Sequence, residues 1–163
     1  MATSSSRPLS GKQPDRRGQA RMAAVQALYQ VEMGTRTPRS VIAEFLQHRL
    51  EEDIDGMRLG PIDRTLFGEL VEGVTKQRNA FQDMLISVLD ADWPLDRLET
   101  LLRIILECGV YELVERPSVP LNIIINEYVE LARAFFENRE PAFVNGVLDR
   151  LGRVLRESEI STA

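Results

Sequence analysis

The sequence predicts an all-α fold, and two observations lead to this prediction. Apolar residues recur at spacings of three and four through successive segments, which is the spacing of one face of an α-helix. Proline or glycine stands at the ends of most of these segments, as is typical of helix boundaries. The one strand-like run, NIII at residues 122–125, continues at i, i+4 spacing and is therefore assigned to a helix. We expect six or seven helices and no strand.

The length of the chain predicts one domain. A chain of 163 residues is long enough for one compact core and too short for two ordinary ones. We expect a single all-helical domain over residues 14–157. Residues 1–13, MATSSSRPLSGKQ, contain almost nothing to bury and are predicted to form a mobile N-terminal tail. Residues 158–163 are predicted to form a C-terminal tail.

The first predicted helix begins near Pro14 and runs to Met33, where a glycine follows it. Gly18 in its first turns costs about 1 kcal/mol relative to alanine, which predicts fraying around Arg16 and Arg17. The predicted buried face consists of Ala20, Ala23, Ala24, Ala27, Leu28 and Val31.

The second predicted helix has Thr37 as its N-cap and Pro38 in its first turn. A third pattern begins after Pro61 and keeps helical phase to Asp90, as one long helix or as two short ones with a break near Asn79. The residues predicted to be buried in these two segments are Val41, Ile42, Phe45, Leu46, Leu50, Leu66, Phe67, Leu70, Val71, Val74, Phe81, Met84, Leu85, Val88 and Leu89.

Three more helical patterns follow in the second half of the chain. The fourth helix is predicted to begin near Pro94 and to end at Pro117, and its apolar character marks it as the core helix. The fifth covers residues 121–136, and the sixth opens at Pro141. The residues predicted to be buried are Leu98, Leu101, Leu102, Ile105, Leu106, Val110, Leu113, Leu121, Ile124, Ile125, Tyr128, Leu131, Ala132, Phe135, Phe143, Val144, Val147, Leu148, Leu151 and Leu155.

The composition, with 44% hydrophobic and 28% charged residues, is typical of a globular protein. No apolar run approaches the roughly 18 residues of a membrane span, and the N-terminus lacks the apolar segment of a secretory signal. We therefore expect no membrane association and a cytoplasmic location. The single cysteine, Cys108, falls in an apolar run, where a thiol usually packs as a small hydrophobe.

Charge is distributed unevenly along the chain, whose net charge is −5. Residues 1–36 hold six basic residues against two acidic ones, whereas the rest holds 14 against 23. A basic N-terminal arm on an acidic body indicates two kinds of binding surface. The basic arm could bind phosphates, and the acidic body could bind a basic protein. Eighteen of the 20 basic residues are arginine, whose guanidinium binds phosphate bidentately and stacks on bases. A solvated tail is the alternative interpretation of the same charge pattern.

Patterns for catalysis and metal binding are missing from the sequence. His48 has no cysteine or second histidine at ligand spacing, so no metal is expected. The sequence contains no GxxxxGK[ST] loop, no GxGxxG after a strand and no GxSxG turn. Choosing any two of the many acidic residues as general acid and base would be arbitrary. We expect no cofactor and no enzymatic activity.

The first helix carries the strongest functional pattern. Arg21, Val25 and Tyr29 are spaced by four and form one strip, predicted to lie outside the buried alanine face, with Arg17 one turn earlier. Arginines that lead to a tyrosine offer phosphate contacts and a ring for stacking, which is the combination that proteins use on single-stranded RNA. A tyrosine in the core with arginines at the surface beside it is the alternative.

Three segments resemble the NusB family of bacterial transcription antitermination factors: AVQALYQ at residues 24–30, YELVERPSVPLNIIINEYVELA at 111–132 and FVNGVLDRL at 143–151. The resemblance covers roughly residues 15–156. It implies an all-α, NusB-like fold of two packed helical bundles. It also implies that the protein binds the boxA element of ribosomal RNA transcripts together with NusE, a ribosomal protein, within the RNA polymerase antitermination complex. The RNA-binding residues implied by the resemblance are Arg16, Arg17, Arg21, Tyr29 and Phe143.

The chain departs from the family pattern at three places. Gly18 interrupts the basic cluster before the first helix, and Arg139 and Ala142 replace an acid and a lysine that several relatives carry. Arg139 is expected to compensate as a further RNA contact. Glu107 stands where an arginine is common, so the NusE contacts are left unassigned.

Two alternative functions accompany the resemblance. The fold also occurs as the N-terminal domain of ribosomal RNA methyltransferases, but a chain that ends at Ala163 is expected to have no room for a methyl-donor domain. The other alternative is a helical adaptor that binds protein and no RNA. The sequence leaves open whether the free protein is a monomer or a homodimer.

Overall fold

The computed structural model describes residues 15–34, 36–49, 53–54, 57–58 and 62–157. A π-helical segment follows the second helix, and a 3-10 turn precedes the fourth. The all-α prediction is confirmed, while both predicted tails lie outside the described residues. Within these ranges the six α-helices are α1 (Arg16–Met33), α2 (Pro38–Glu44), α3 (Arg64–Val88), α4 (Thr100–Glu115), α5 (Leu121–Phe135) and α6 (Glu140–Leu155).

Two short strands lie between α2 and α3. β1 (Asp53–Ile54) pairs antiparallel with β2 (Met57–Arg58). No strand was predicted here, because two residues are too few for a period-two pattern to be recognised. His48 falls in the π-helical segment Phe45–Arg49, and its side chain lies outside the part that the structure describes.

Side-chain caps set the starts of the first two helices. The Asp15 carboxylate accepts a hydrogen bond of 2.8 Å from the Gly18 amide, and Thr37 caps α2 as predicted. Arg16 and Arg17 therefore lie in a capped first turn, and the residues that were predicted to fray are helical in the structure.

The third and fourth helices differ in detail from the prediction. α3 is one continuous helix with a kink at Gln77 (φ −110°, ψ 20°), two residues before the predicted break at Asn79. The predicted start of α4 near Pro94 is wrong, because the 3-10 turn Leu95–Arg97 intervenes and two extended residues separate it from Thr100.

The helices pack as two groups, α1–α3 and α4–α6, which meet mainly where α1 and α3 contact α4. Every residue from Ile104 to Val110 is buried, which confirms α4 as the core helix. Cys108 is fully buried as predicted, and burial raises the pKa of its thiol. The prediction that Leu155 is buried is wrong, since its side chain is 37% exposed.

A polar cluster inside the protein joins α1, α3 and α4. The fully buried Glu107 accepts hydrogen bonds from Gln82 (2.7 Å) and from Arg103 (2.8 Å). Arg103 also pairs with Glu32, and Arg78 lies 3.4 Å from Glu32 and 3.6 Å from Glu107. The negative charge of Glu107 is therefore paired with arginines inside the protein.

Candidate nucleic-acid interface

Two arginines lie exposed at the beginning of α1. Arg16 and Arg17 occupy the first turn of the helix, and their side chains reach solvent. The carbonyl of Arg16 accepts a hydrogen bond of 3.1 Å from the backbone N–H of Asp63, which precedes α3. This contact fixes the beginning of α1 against the neighbouring helix. The two guanidinium groups thus extend from a fixed backbone into solvent, where they can meet phosphate.

Arg21, one turn further along α1, points into the protein. Its side chain is 3% exposed and forms a bidentate ion pair with Glu112 of α4, with N–O distances of 2.7 Å and 2.9 Å. A third nitrogen lies 3.2 Å from Glu127 of α5. The Tyr128 hydroxyl donates to Glu112, and the Arg21 guanidinium carbon lies 5.9 Å from the centroid of the Tyr128 ring. This cluster joins α1 to both α4 and α5.

The electrostatics of the cluster explain why these groups tolerate burial. Burial alone would lower the pKa of Arg21, but the hydrogen bond from Arg21 to Glu112 and the negative charges around it raise that pKa above its ordinary value. Burial and the charge of Glu112 raise the pKa of Tyr128, which therefore stays a neutral donor. Arg21 is thus charged and fully engaged with other residues. The prediction that it lies on an exposed strip is wrong, and its buried guanidinium is not free to contact RNA phosphates.

Tyr29 is the exposed end of the predicted strip. It is 40% exposed, whereas Val25, one turn earlier, is fully buried. The strip was predicted to be exposed, but the buried face of α1 is wider than its alanine stripe and includes Arg21 and Val25. Both α4 and α5 contact α1. The exposure of Tyr29 agrees with the prediction that its ring lies at the surface and not with the alternative that it lies in the core. Its ring stands at the edge of a cleft between α1, α4 and α5.

The other two predicted residues lie at the beginning of α6. Arg139 is exposed and directly precedes the helix. Phe143 is half-buried, and its ring centroid lies 6.1 Å from that of Trp93, which is 52% exposed. Sequence reasoning missed Trp93, although a lone tryptophan between aspartate and proline in a turn could have indicated a surface ring.

The predicted site residues thus fall into separate places. Arg17 and Tyr29 are on one helix but about 18 Å apart along its axis, at 1.5 Å per residue. Among the described residues no hydrogen bond, ion pair or ring contact joins either of them to Phe143. Arg139 follows Phe135 by four residues, and Phe135 lines the same cleft as Tyr29. The linker between α5 and α6 therefore leads from the Tyr29 cleft to Arg139.

The exposed arginines and aromatic rings described above suit the binding of a ligand. In the part of the chain that the structure describes, no group of three His, Cys, Asp or Glu residues is placed to hold a metal ion. No helix in that part is long and apolar enough to cross a membrane. Arginines and aromatic rings at the surface supply charge and stacking.

Known proteins similar to this chain point to one family. The family model described as "NusB family" matches residues 18–153. The chain is 45% identical over 154 residues to the transcription antitermination protein NusB of Sinorhizobium fredii, covering 94% of this chain and 95% of the relative. It is 44% identical over 145 residues to that of Agrobacterium fabrum, covering 89% and 88%.

A solved structure agrees with these relatives. The fold matches T. maritima NusB with a TM-score of 0.73, at 22% sequence identity, over 91% of this chain and 99% of that chain. At 22% identity the structural match supports only a shared fold. The family model and the relatives that are 44–45% identical show the family. The chain belongs to the NusB family.

Proposed function

We propose that this protein acts in transcription antitermination by binding boxA-containing single-stranded RNA of ribosomal RNA transcripts together with NusE. It would act without catalysis, in the cytoplasm, as part of the RNA polymerase antitermination complex. One observation carries the proposal. In this acidic protein, α1 begins with two exposed arginines in a capped first turn and carries an exposed tyrosine further along. The family membership supports it, because the relatives are named transcription antitermination proteins.

The small number of RNA contacts favours a shared binding site. Arg16, Arg17 and Arg139 are the proposed phosphate contacts, and three contacts on a single strand predict a salt slope near −2. One or two stacked bases add about 1–3 kcal/mol each. Micromolar binding already needs about −8 kcal/mol, and the acidic body repels RNA. A basic partner such as NusE would supply further contacts and raise the effective concentration of each component for the other.

The proposal is tested by fluorescence anisotropy of a labelled boxA RNA and a scrambled RNA of the same composition. Each is titrated with the protein, with and without NusE. We expect a preference for boxA that increases when NusE is present. Equal affinity for the two RNAs in both conditions would reject the proposal and favour the helical adaptor. An affinity for boxA that NusE leaves unchanged would reject the shared site.

Replacing Tyr29 by alanine separates stacking from packing. Because Tyr29 is 40% exposed, we expect the Tyr29→Ala variant to bind RNA about 1–3 kcal/mol more weakly while its thermal midpoint stays nearly unchanged. Met33→Ala, a change of another exposed residue on the same helix, is the matched control. A large fall in the thermal midpoint of Tyr29→Ala with unchanged RNA affinity would show that the ring packs and does not stack.

A further inference from the structure

A second cleft lies where the end of α3 meets the turn that precedes α4. Its volume is about 590 Å³, which falls in the range of ligand-binding clefts in proteins. One of its lining residues, Ile86, is 55% exposed, an unusual position for an isoleucine, and we call this cleft the Ile86 cleft. The apolar residues that line it are Ile86, Leu89, Ala91, Pro94 and Leu95.

The surface around the Ile86 cleft is acidic. Residues 79–96 contain four aspartates and no lysine or arginine, and all four aspartates are exposed. Two of them, Asp90 and Asp96, line the cleft itself. Arg150 lies 3.6 Å from Asp90, but both side chains are at least half exposed, so solvent weakens this pair. The cleft thus combines apolar walls with a negatively charged rim.

The arginine that lines the Ile86 cleft does not change the charge of its rim. Arg103 pairs with Glu32 and, at 2.8 Å, with the buried Glu107, so its charge is engaged inside the protein. RNA phosphates and anionic lipid headgroups would therefore be repelled at this rim. Among the described residues, none of α1 or α6, the helices that carry or adjoin the proposed RNA contacts, lines the cleft. The Ile86 cleft is separate from the proposed RNA-binding residues.

The chain itself offers no suitable basic occupant for the cleft. Outside the described ranges the basic residues are Arg7 and Lys12, which precede α1. α1 begins beside the beginning of α3, because the Asp63 N–H donates to the Arg16 carbonyl. α3 has 25 residues and ends about 37 Å further along its axis. At full extension Arg7 reaches about 28 Å from Asp15, and Lys12 about 10 Å.

We propose that the Ile86 cleft binds a basic segment of a partner protein other than NusE. One apolar side chain of that segment would insert between α3 and the turn, as anchor residues do in peptide-binding grooves. Arginines or lysines on either side of the anchor would face Asp90 and Asp96. NusE is proposed to share the RNA site, whereas this cleft lies apart from it. The inference goes beyond the proposed function and does not depend on it.

Fluorescence anisotropy of three short labelled peptides, titrated with the full chain, tests the inference. The first peptide has a leucine with arginines on both sides. Serine replaces the leucine in the second, and glutamates replace the arginines in the third. We expect the first to bind at least about tenfold more tightly than the others, because binding requires both the anchor and the charge. Addition of NusE and boxA RNA should leave its affinity unchanged.

Three results of these titrations would overturn the inference. The first is the absence of binding by the leucine peptide. The second is equal affinity for the leucine and serine peptides, which would mean that the acidic surface attracts any basic peptide without an apolar site. The third is displacement of the leucine peptide by NusE, which would assign the cleft to the NusE interface.

The Ile86→Ser variant locates the binding site. We expect it to bind the leucine peptide about tenfold more weakly while its affinity for the serine peptide stays unchanged. Ile123→Ser is the matched control, because Ile123 is 46% exposed on α5 and does not line the cleft. Since both isoleucines are exposed, the thermal midpoints of both variants should stay near that of the wild type. Equal loss of peptide affinity in the two variants would contradict the inference.

The Asp96→Asn variant tests the charge of the rim. It should weaken the leucine and serine peptides by the same factor and reduce the salt dependence of both. Glu130→Gln, a change of an exposed acid on α5, should leave both affinities unchanged. Sedimentation of the protein without peptide tests a second copy of the chain as the occupant. Self-association that Ile86→Ser abolishes would assign the cleft to that second copy and overturn the inference.

Discussion

The Glu112→Ala variant is expected to lose about 3–5 kcal/mol of unfolding free energy, because it leaves the Arg21 guanidinium buried without its bidentate partner. Tyr128 would also lose the acceptor of its hydroxyl. Glu127 remains near Arg21 but is partly exposed and contacts only one nitrogen. Urea denaturation at neutral pH, followed by circular dichroism, measures the loss.

Two further variants make this prediction specific. Glu130→Ala removes an exposed ion pair with Arg133 and should cost less than about 1 kcal/mol. The double variant Arg21→Met with Glu112→Leu should recover much of the stability lost in Glu112→Ala, since apolar residues of similar size often replace a buried pair without loss. A Glu112→Ala variant as stable as Glu130→Ala would contradict the structural role given to the cluster.

The Arg156→Met variant is expected to lose about 3 kcal/mol of unfolding free energy. Arg156 is buried at the end of α6, and its guanidinium donates to the carbonyls of Glu112, Leu113, Arg116 and Val119. The bond to Arg116 measures 2.8 Å and that to Leu113 measures 3.2 Å. These carbonyls lie at the end of α4 and in the turn after it, where the helix leaves acceptors unpaired. Methionine would fill the space without satisfying them.

Arg153→Met is the control for this prediction. Arg153 lies one turn earlier on α6, is exposed, and pairs with Asp149 on the same helix face. Its replacement should change the unfolding free energy by less than about 1 kcal/mol. Similar losses for the two variants would mean that the carbonyl contacts of Arg156 add little to stability.

The helices could be predicted from the sequence because each signal is local. Alanines at helical spacing marked the buried side of α1, and Thr37 with Pro38 marked the beginning of α2. The beginning of α4 could not be predicted in the same way. Pro94 is compatible with the beginning of either an α-helix or a 3-10 helix. In the structure a 3-10 turn follows it, and this turn packs against α3.

The candidate site was predictable only in part. An arginine cluster and a tyrosine on one helix suggest a surface, and the structure shows that Arg16, Arg17 and Tyr29 are exposed. The cleft with Phe135 and Glu99 could not be found, because its walls come from three helices whose contact no local pattern records. The contact between Trp93 and Phe143 could not be predicted either, since the two residues are 50 positions apart in the chain.

The sequence by itself determined the helices, their apolar faces and the family, because periodicity, caps and motifs depend on residues close together in the chain. The tertiary structure alone decided which arginines face solvent. Helical spacing sets the direction of Arg21 around its own helix but not the position of Glu112, 91 residues away, which draws that side chain inward. Arg156 is likewise held by carbonyls about 40 residues earlier. A charged side chain is buried where distant groups neutralise it or accept its hydrogen bonds, and only folding brings those groups together.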